Sequence, residues 1–115
     1  MMEYMILIYA DEARHETMPE GQMASLMADF ARYTQSLEEA GVLRGGGELA
    51  PVRSATCVRL QDGQVVVTDG PFAETREQLG GYYLIACEHL DEALAWAARC
   101  PAASLGTIEV RPVTA

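Results

Sequence analysis

With 115 residues, 50% of them hydrophobic, the chain is sized for one domain spanning 1–115, with a core that needs no disulfide staples. Seventeen acidic residues against eight basic ones give a formal net charge of -9, which disfavours nucleic acid and anionic membrane surfaces, since both are bound through basic patches. All eight basic residues are arginine, and without lysine, Schiff-base and lysine-nucleophile chemistry are excluded.

The stretch from Met1 to Tyr9 is apolar but too short to span a bilayer, and it lacks a basic flank and a small-residue cleavage site. It reads as a strand, Tyr4 to Tyr9, apolar on both alternating faces and so expected to be covered on both. Asp11 to Thr17 reads as a polar loop holding His15. Pro19 and Glu20 then open a helix, with Thr17 and Glu20 spaced as a capping box. Its apolar stripe is Met23, Leu26, Met27, Phe30 and Leu37, and Gly41 ends it.

After Gly45-Gly46-Gly47, the run Ala55 to Leu60 reads as a strand that Asp62-Gly63 turns back into Val65 to Thr68. An Asp-Gly pair between such runs is a strong hairpin signal, because both central residues of that turn take positive φ. Tyr82 to Cys87 is another strand apolar on both faces, with Tyr82 and Tyr83 pointing opposite ways. Asp91 is expected to cap a helix, Glu92 to Arg99, burying Ala93, Leu94, Trp96, Ala97 and Cys100 before Pro101 stops it. Thr107 to Val113 alternates as the last strand.

With the hairpin taken as an elaboration of the second strand, the order is βαββαβ. This is an α+β, ferredoxin-like arrangement with both helices on one face of an antiparallel sheet. Two strands apolar on both sides then leave a bare apolar face, for which the economical cover is a homodimer packed sheet against sheet. Cys57, Cys87 and Cys100 are odd in number and form no Cys-x-x-Cys pair, so neither a disulfide framework nor a metal site is expected, and the cytoplasm is the default compartment. No phosphate loop, dinucleotide fingerprint or serine-nucleophile motif is present, and no cofactor is expected.

Chemistry concentrates in Asp69 to Glu77, a turn, an aromatic and a charge cluster between apolar strands. Asp69 reads as a general base desolvated by Phe72, or alternatively as an Asx-type cap that shapes the Gly70-Pro71 bend. Glu74, Arg76 and Glu77 form a charged rim in which Arg76 is the fork-shaped anchor for a carboxylate or phosphate, or else a solvated loop. Glu109 and Arg111 share a face of the last strand and join this rim or pair with it. Tyr82 is a candidate pocket wall, and Phe72 reads as a core or loop plug or, alternatively, as a ligand contact. His15 is a weak acid–base candidate in its polar segment, and His89 sits at a helix start.

Asp69-Gly70-Pro71-Phe72-Ala73-Glu74-Thr75-Arg76-Glu77, Gly80-Gly81-Tyr82, Trp96 to Pro101 and Gly106 to Pro112 together resemble the DGPF-domain branch of the YCII-related family across essentially the full chain. The resemblance implies a dimeric α/β barrel of ferredoxin-like protomers. It also implies an acid–base pair, a histidine on the first helix and an aspartate before the proline that closes the second. Here Glu20 to Ala40 holds no histidine and Cys100 precedes Pro101, so the pair is not carried over. Many DGPF-domain proteins are encoded beside, or fused to, extracytoplasmic-function sigma factors, which implies a sigma factor as partner. The expected function is a dimer binding a small polar or anionic metabolite near the signature loop. The alternatives are a cofactor-free isomerase or lyase using Asp69, and an interaction module for a sigma factor.

Overall fold

The computed structural model describes all 115 residues. Strand β1 (Met2–Ala10) occupies the middle of a four-stranded antiparallel sheet in the order β2-β5-β1-β6, with β2 at Leu43–Glu48, β5 at Gln78–Cys87 and β6 at Thr107–Pro112. Helix α2 (Glu20–Glu39) follows β1 and helix α3 (Leu90–Ala98) follows β5, giving the βαββαβ order of a ferredoxin-like α+β fold. The hairpin, β3 (Thr56–Gln61) and β4 (Gln64–Asp69), pairs only with itself.

Alternation decides which sheet face is covered. Tyr4, Ile6 and Ile8 of β1 and Ile85 and Cys87 of β5 are buried with Tyr33 and Leu37 of α2 and Ala93 of α3. Tyr33 is the hinge of this layer: its hydroxyl donates to the Trp96 carbonyl at 2.8 Å, and its ring meets Tyr83 edge-on at 5.4 Å. Met5, Leu7, Tyr9, Tyr82 and Leu84 lie on the opposite face, which has no helix over it and is only half-buried. Tyr82 and Tyr83 do point to opposite faces, Tyr83 sharing a 2.7 Å hydrogen bond with Thr34 of α2.

The second main strand is the glycine run itself, and the hairpin is a separate insertion after it rather than an elaboration of it. Glycine is required where this edge strand crosses β5: a Cβ on Gly46 would lie 2.9 Å from the Tyr82 carbonyl oxygen and 3.0 Å from the Tyr83 ring. A bulge interrupts β2 between Leu43 and Gly45, and the other edge strand, β6, ends in Pro112 opposite Tyr4.

Local readings at helix ends need correction. Asp11 caps a short helix, α1 (Glu12–Glu16), through a bond accepted from the Ala13 N–H, so His15 lies on an exposed helical turn rather than in a loop. Thr17 makes no capping box; its hydroxyl turns back to the carbonyls of Ala13 and Arg14, and α2 starts after Pro19 with no side-chain cap. His89, not Asp91, caps α3, accepting the Glu92 N–H at 3.3 Å. Met27 and Leu94, expected in the core, are 54% and 47% exposed, because Tyr33 and Ala97 carry the buried lines of their helices.

The hairpin stands clear of this body. Its turn has φ 49° at Asp62 and 77° at Gly63, as the Asp-Gly pair requires, and all six residues of β4 are exposed. The radius of gyration is 16.1 Å, against roughly 13 Å for a compact chain of this length. No helix is long and apolar enough to cross a membrane.

Candidate functional site at one end of the open sheet face

The polar groups of the open face collect where β1 ends and β6 begins. Tyr9 lies opposite Thr107 of β6 and Leu79 of β5, and Leu7 opposite Glu109 and Tyr82. The Tyr9 hydroxyl donates to Glu109 Oε1 at 3.2 Å. The Thr107 hydroxyl donates to Glu77 Oε1 at 2.8 Å, which brings the end of the signature loop onto the sheet. Burial, then the hydrogen bond to Glu109 and its charge, push the Tyr9 phenol above its ordinary value, while Arg111 pulls it the other way. Tyr9 therefore remains a neutral proton donor at physiological pH.

The loop is stapled from below by Gln78. Its Nε2 donates to the Thr75 carbonyl at 2.5 Å, and its Oε1 accepts the Glu12 N–H at 2.9 Å. Glu12 in turn accepts the Val52 N–H at 3.0 Å, so the short helix α1 and the turn after β2 hold the loop from two sides. Thr75 bonds the Glu77 carbonyl at 2.6 Å. These contacts account for a structured loop without any ligand.

Of the residues singled out in the sequence, Glu77, Tyr82, Glu109 and Arg111 share this face. Asp69, Glu74 and Arg76 are exposed, and none of the three makes a side-chain hydrogen bond or ion pair within the chain. The Asx-type cap expected of Asp69 is absent; the bend is held instead by the Gly70 N–H on the Ala55 carbonyl at 2.7 Å. Phe72 is neither core nor plug: it is 79% exposed and lies over Arg59 of the hairpin at 5.6 Å, so it does not desolvate Asp69. No ion pair joins Glu109 or Arg111 to Arg76 or Glu77 within the chain; the ion pairs are Arg32 with Asp29 and Arg53 with Glu16.

Tyr9, Thr107 and Gln78 escaped the sequence reading. Tyr9 was legible as the polar tip of an otherwise apolar strand face, but its partner is 100 residues away and only the β1–β6 register pairs them. Burial pushes the Cys87 and Cys100 thiols up, so both are structural groups rather than nucleophiles. No group of three or more His, Cys, Asp or Glu side chains is placed to hold a metal ion. A concavity on the helix side, lined by Arg32, Tyr33 and Arg99, lies away from the signature loop, and its Arg32 is already paired with Asp29.

The fold and this end of the sheet define a class, a ferredoxin-like protein with an uncovered sheet face whose polar end is flanked by a loop. A solved structure of this architecture, 5-chloro-2-hydroxyhydroquinone dehydrochlorinase from Burkholderia phenoliruptrix in complex with 2,5-dihydroxybenzoquinone, aligns over 98% of this chain and 94% of its own with a TM-score of 0.52. At 14% identity that likeness is one of fold. The YCII-related domain matches residues 2–115, and the chain belongs to the YCII-related family. An uncharacterized protein of Rhizobium meliloti (strain 1021) is 40% identical over 114 residues, covering 97% of this chain and 92% of that protein.

Proposed function

We propose that the protein is a homodimer, its two open sheet faces packed into an α/β barrel, that binds a small metabolite carrying hydroxyl and anionic oxygens. The binding site is the strand end where Tyr9, Glu77, Thr107 and Glu109 meet, with Tyr82 and Arg111 further along the same face. One observation carries this reading: two hydrogen-bonded polar pairs, Tyr9–Glu109 and Thr107–Glu77, stand at one end of a half-buried apolar face. A few convergent polar groups on an apolar wall are the composition of small-molecule sites. The carboxylates and the Tyr9 oxygen, whose proton goes to Glu109, accept from ligand hydroxyls, while Arg111 donates to ligand oxygens, with the exposed Arg76 as a second cation. The dihydroxybenzoquinone bound by the dehydrochlorinase is a ligand of this chemical kind.

The enzymatic alternative is a cofactor-free isomerase or lyase step with Asp69 as base. It is favoured by one observation, a carboxylate left without any hydrogen bond in the chain. His15, on its exposed turn, makes no hydrogen bond or ion pair with Asp69.

A thermal-shift screen of hydroxylated organic acids, phosphates and dihydroxyquinones tests the proposal, with Tyr9→Phe, Glu109→Ala, Asp69→Ala and Arg76→Ala run in parallel. A ligand at a hundredfold its dissociation constant stabilises by about 2.7 kcal/mol, which for this chain length raises Tm by on the order of 10 °C. The expected result is a hit lost in Tyr9→Phe and Glu109→Ala. No hit, or hits indifferent to both variants, removes the site; loss in Asp69→Ala alone moves the weight to the enzymatic alternative.

A further inference from the structure

The hairpin is two-faced in a way its own chain does not use. In the β3–β4 register, Val58 lies opposite Val67 and Leu60 opposite Val65, so these four side chains share one face, while Arg59, Gln61, Gln64 and Val66 share the other. The four are 65%, 60%, 72% and 65% exposed in the order Val58, Val67, Leu60, Val65. A two-stranded ribbon is marginal by itself in water, and this one presents an uncharged apolar patch on the order of 400 Å². Thr56 lies opposite Asp69 on that same face, so whatever covers the patch also meets the Asp69 carboxylate.

We propose that the Val58, Leu60, Val65 and Val67 face seats on a second copy of this chain, and that Asp69 of one protomer therefore belongs to the other protomer's binding surface. The partner is argued from what one chain leaves uncovered. At a net charge of -9 two copies repel at long range, so they must meet through uncharged surface. Two such surfaces are the ribbon face and the centre of the open sheet face at Met5, Leu7 and Leu84. A two-fold arrangement buries both on each protomer at once. The ribbon patch supplies about half of the roughly 800 Å² per partner that a stable interface needs, and the sheet face supplies the remainder. The ribbon's projection from the body gives it the reach. The assignment rests on the dimer proposed above, though not on its ligand.

The test is therefore run without ligand. Val58→Lys with Val67→Glu replaces a cross-strand apolar pair by an oppositely charged one, so the ribbon stays paired and net charge is unchanged while the patch is lost. Sedimentation velocity should show wild type and the reverse-face control, Gln61→Lys with Gln64→Glu, as dimers, and Val58→Lys/Val67→Glu as a monomer with at least 100-fold weaker association. In wild type, hydroxyl-radical labelling of Leu60 and Val65 should fall as protein concentration rises. A benzophenone amino acid at position 69 should crosslink between isotopically distinct copies. A wild-type monomer, an unchanged dimer in Val58→Lys/Val67→Glu, or crosslinks confined to one copy overturns the assignment. Leu7→Glu, on the sheet face, separates the two interfaces: if it alone dissociates the dimer, the sheet pairing stands and the ribbon assignment falls.

Discussion

Raising the pH probes Tyr33, because without lysine the side chains that titrate between neutrality and the arginines are the five tyrosines and three cysteines. Burial, the largest cause, pushes the Tyr33 phenol well above its ordinary value of 10.0, and Tyr83 is raised by burial as well. A folded value above the unfolded one means stability is whole below pH 10 and is lost as pH climbs toward the folded value, since the unfolded chain releases the proton first. At pH 11 an unfolded tyrosine is ionised about ten to one, so Tyr33 alone removes about 1.4 kcal/mol, or roughly 6 °C in Tm. Tyr33→Phe deletes the hydrogen bond to the Trp96 carbonyl and should lower stability by about 1 kcal/mol at pH 8. It also deletes the titration, so its Tm curve should be shallower and meet the wild-type curve near pH 11. Circular-dichroism melts from pH 8 to 11.5, with tyrosinate absorbance at 295 nm, read both effects. Parallel curves, or five tyrosines ionising together in the folded protein, would refute the reasoning.

Leu37 is fully buried between helix and sheet, and Leu37→Ala should cost about 2–5 kcal/mol in urea denaturation without changing the m-value. Gly46→Ala should destabilise by about 1–3 kcal/mol, since the added methyl meets the Tyr82 carbonyl and the Tyr83 ring; an unchanged midpoint would show that the edge strand moves aside at no cost. Tyr9→Phe, at a half-exposed site, should stay within about 0.5 kcal/mol of wild type in the same assay while abolishing the metabolite-induced thermal shift.

Strands β1 and β5 were legible as short apolar runs and β6 because its side chains alternate, and Asp62-Gly63 announced the hairpin through its own backbone preference. Strand β2 was hidden because three of its six residues have no side chain to carry a pattern. Helix α1 was hidden because it buries nothing, although Asp11 stood in the capping position. At the candidate site, Glu77, Tyr82, Glu109 and Arg111 were singled out by charge and alternation. Tyr9 and Thr107 were not, because their roles follow from a strand pairing that spans nearly the whole chain. Asp69 and Phe72 were read as a unit from adjacency, whereas the hairpin base separates them, one beside the valines and the other over Arg59.

The two rims of the sheet bear on assembly. A bulge at Arg44 spoils the regular ladder spacing on one rim, and Pro112 offers no N–H on the other, so neither invites another strand to join. On the four-stranded sheet, association is therefore favoured through a face rather than a rim. A rim can be extended without limit, strand after strand, whereas a face is used up by the first copy that covers it, which leaves the outer edges of the β3–β4 ribbon as the place where strand-by-strand growth would have to start.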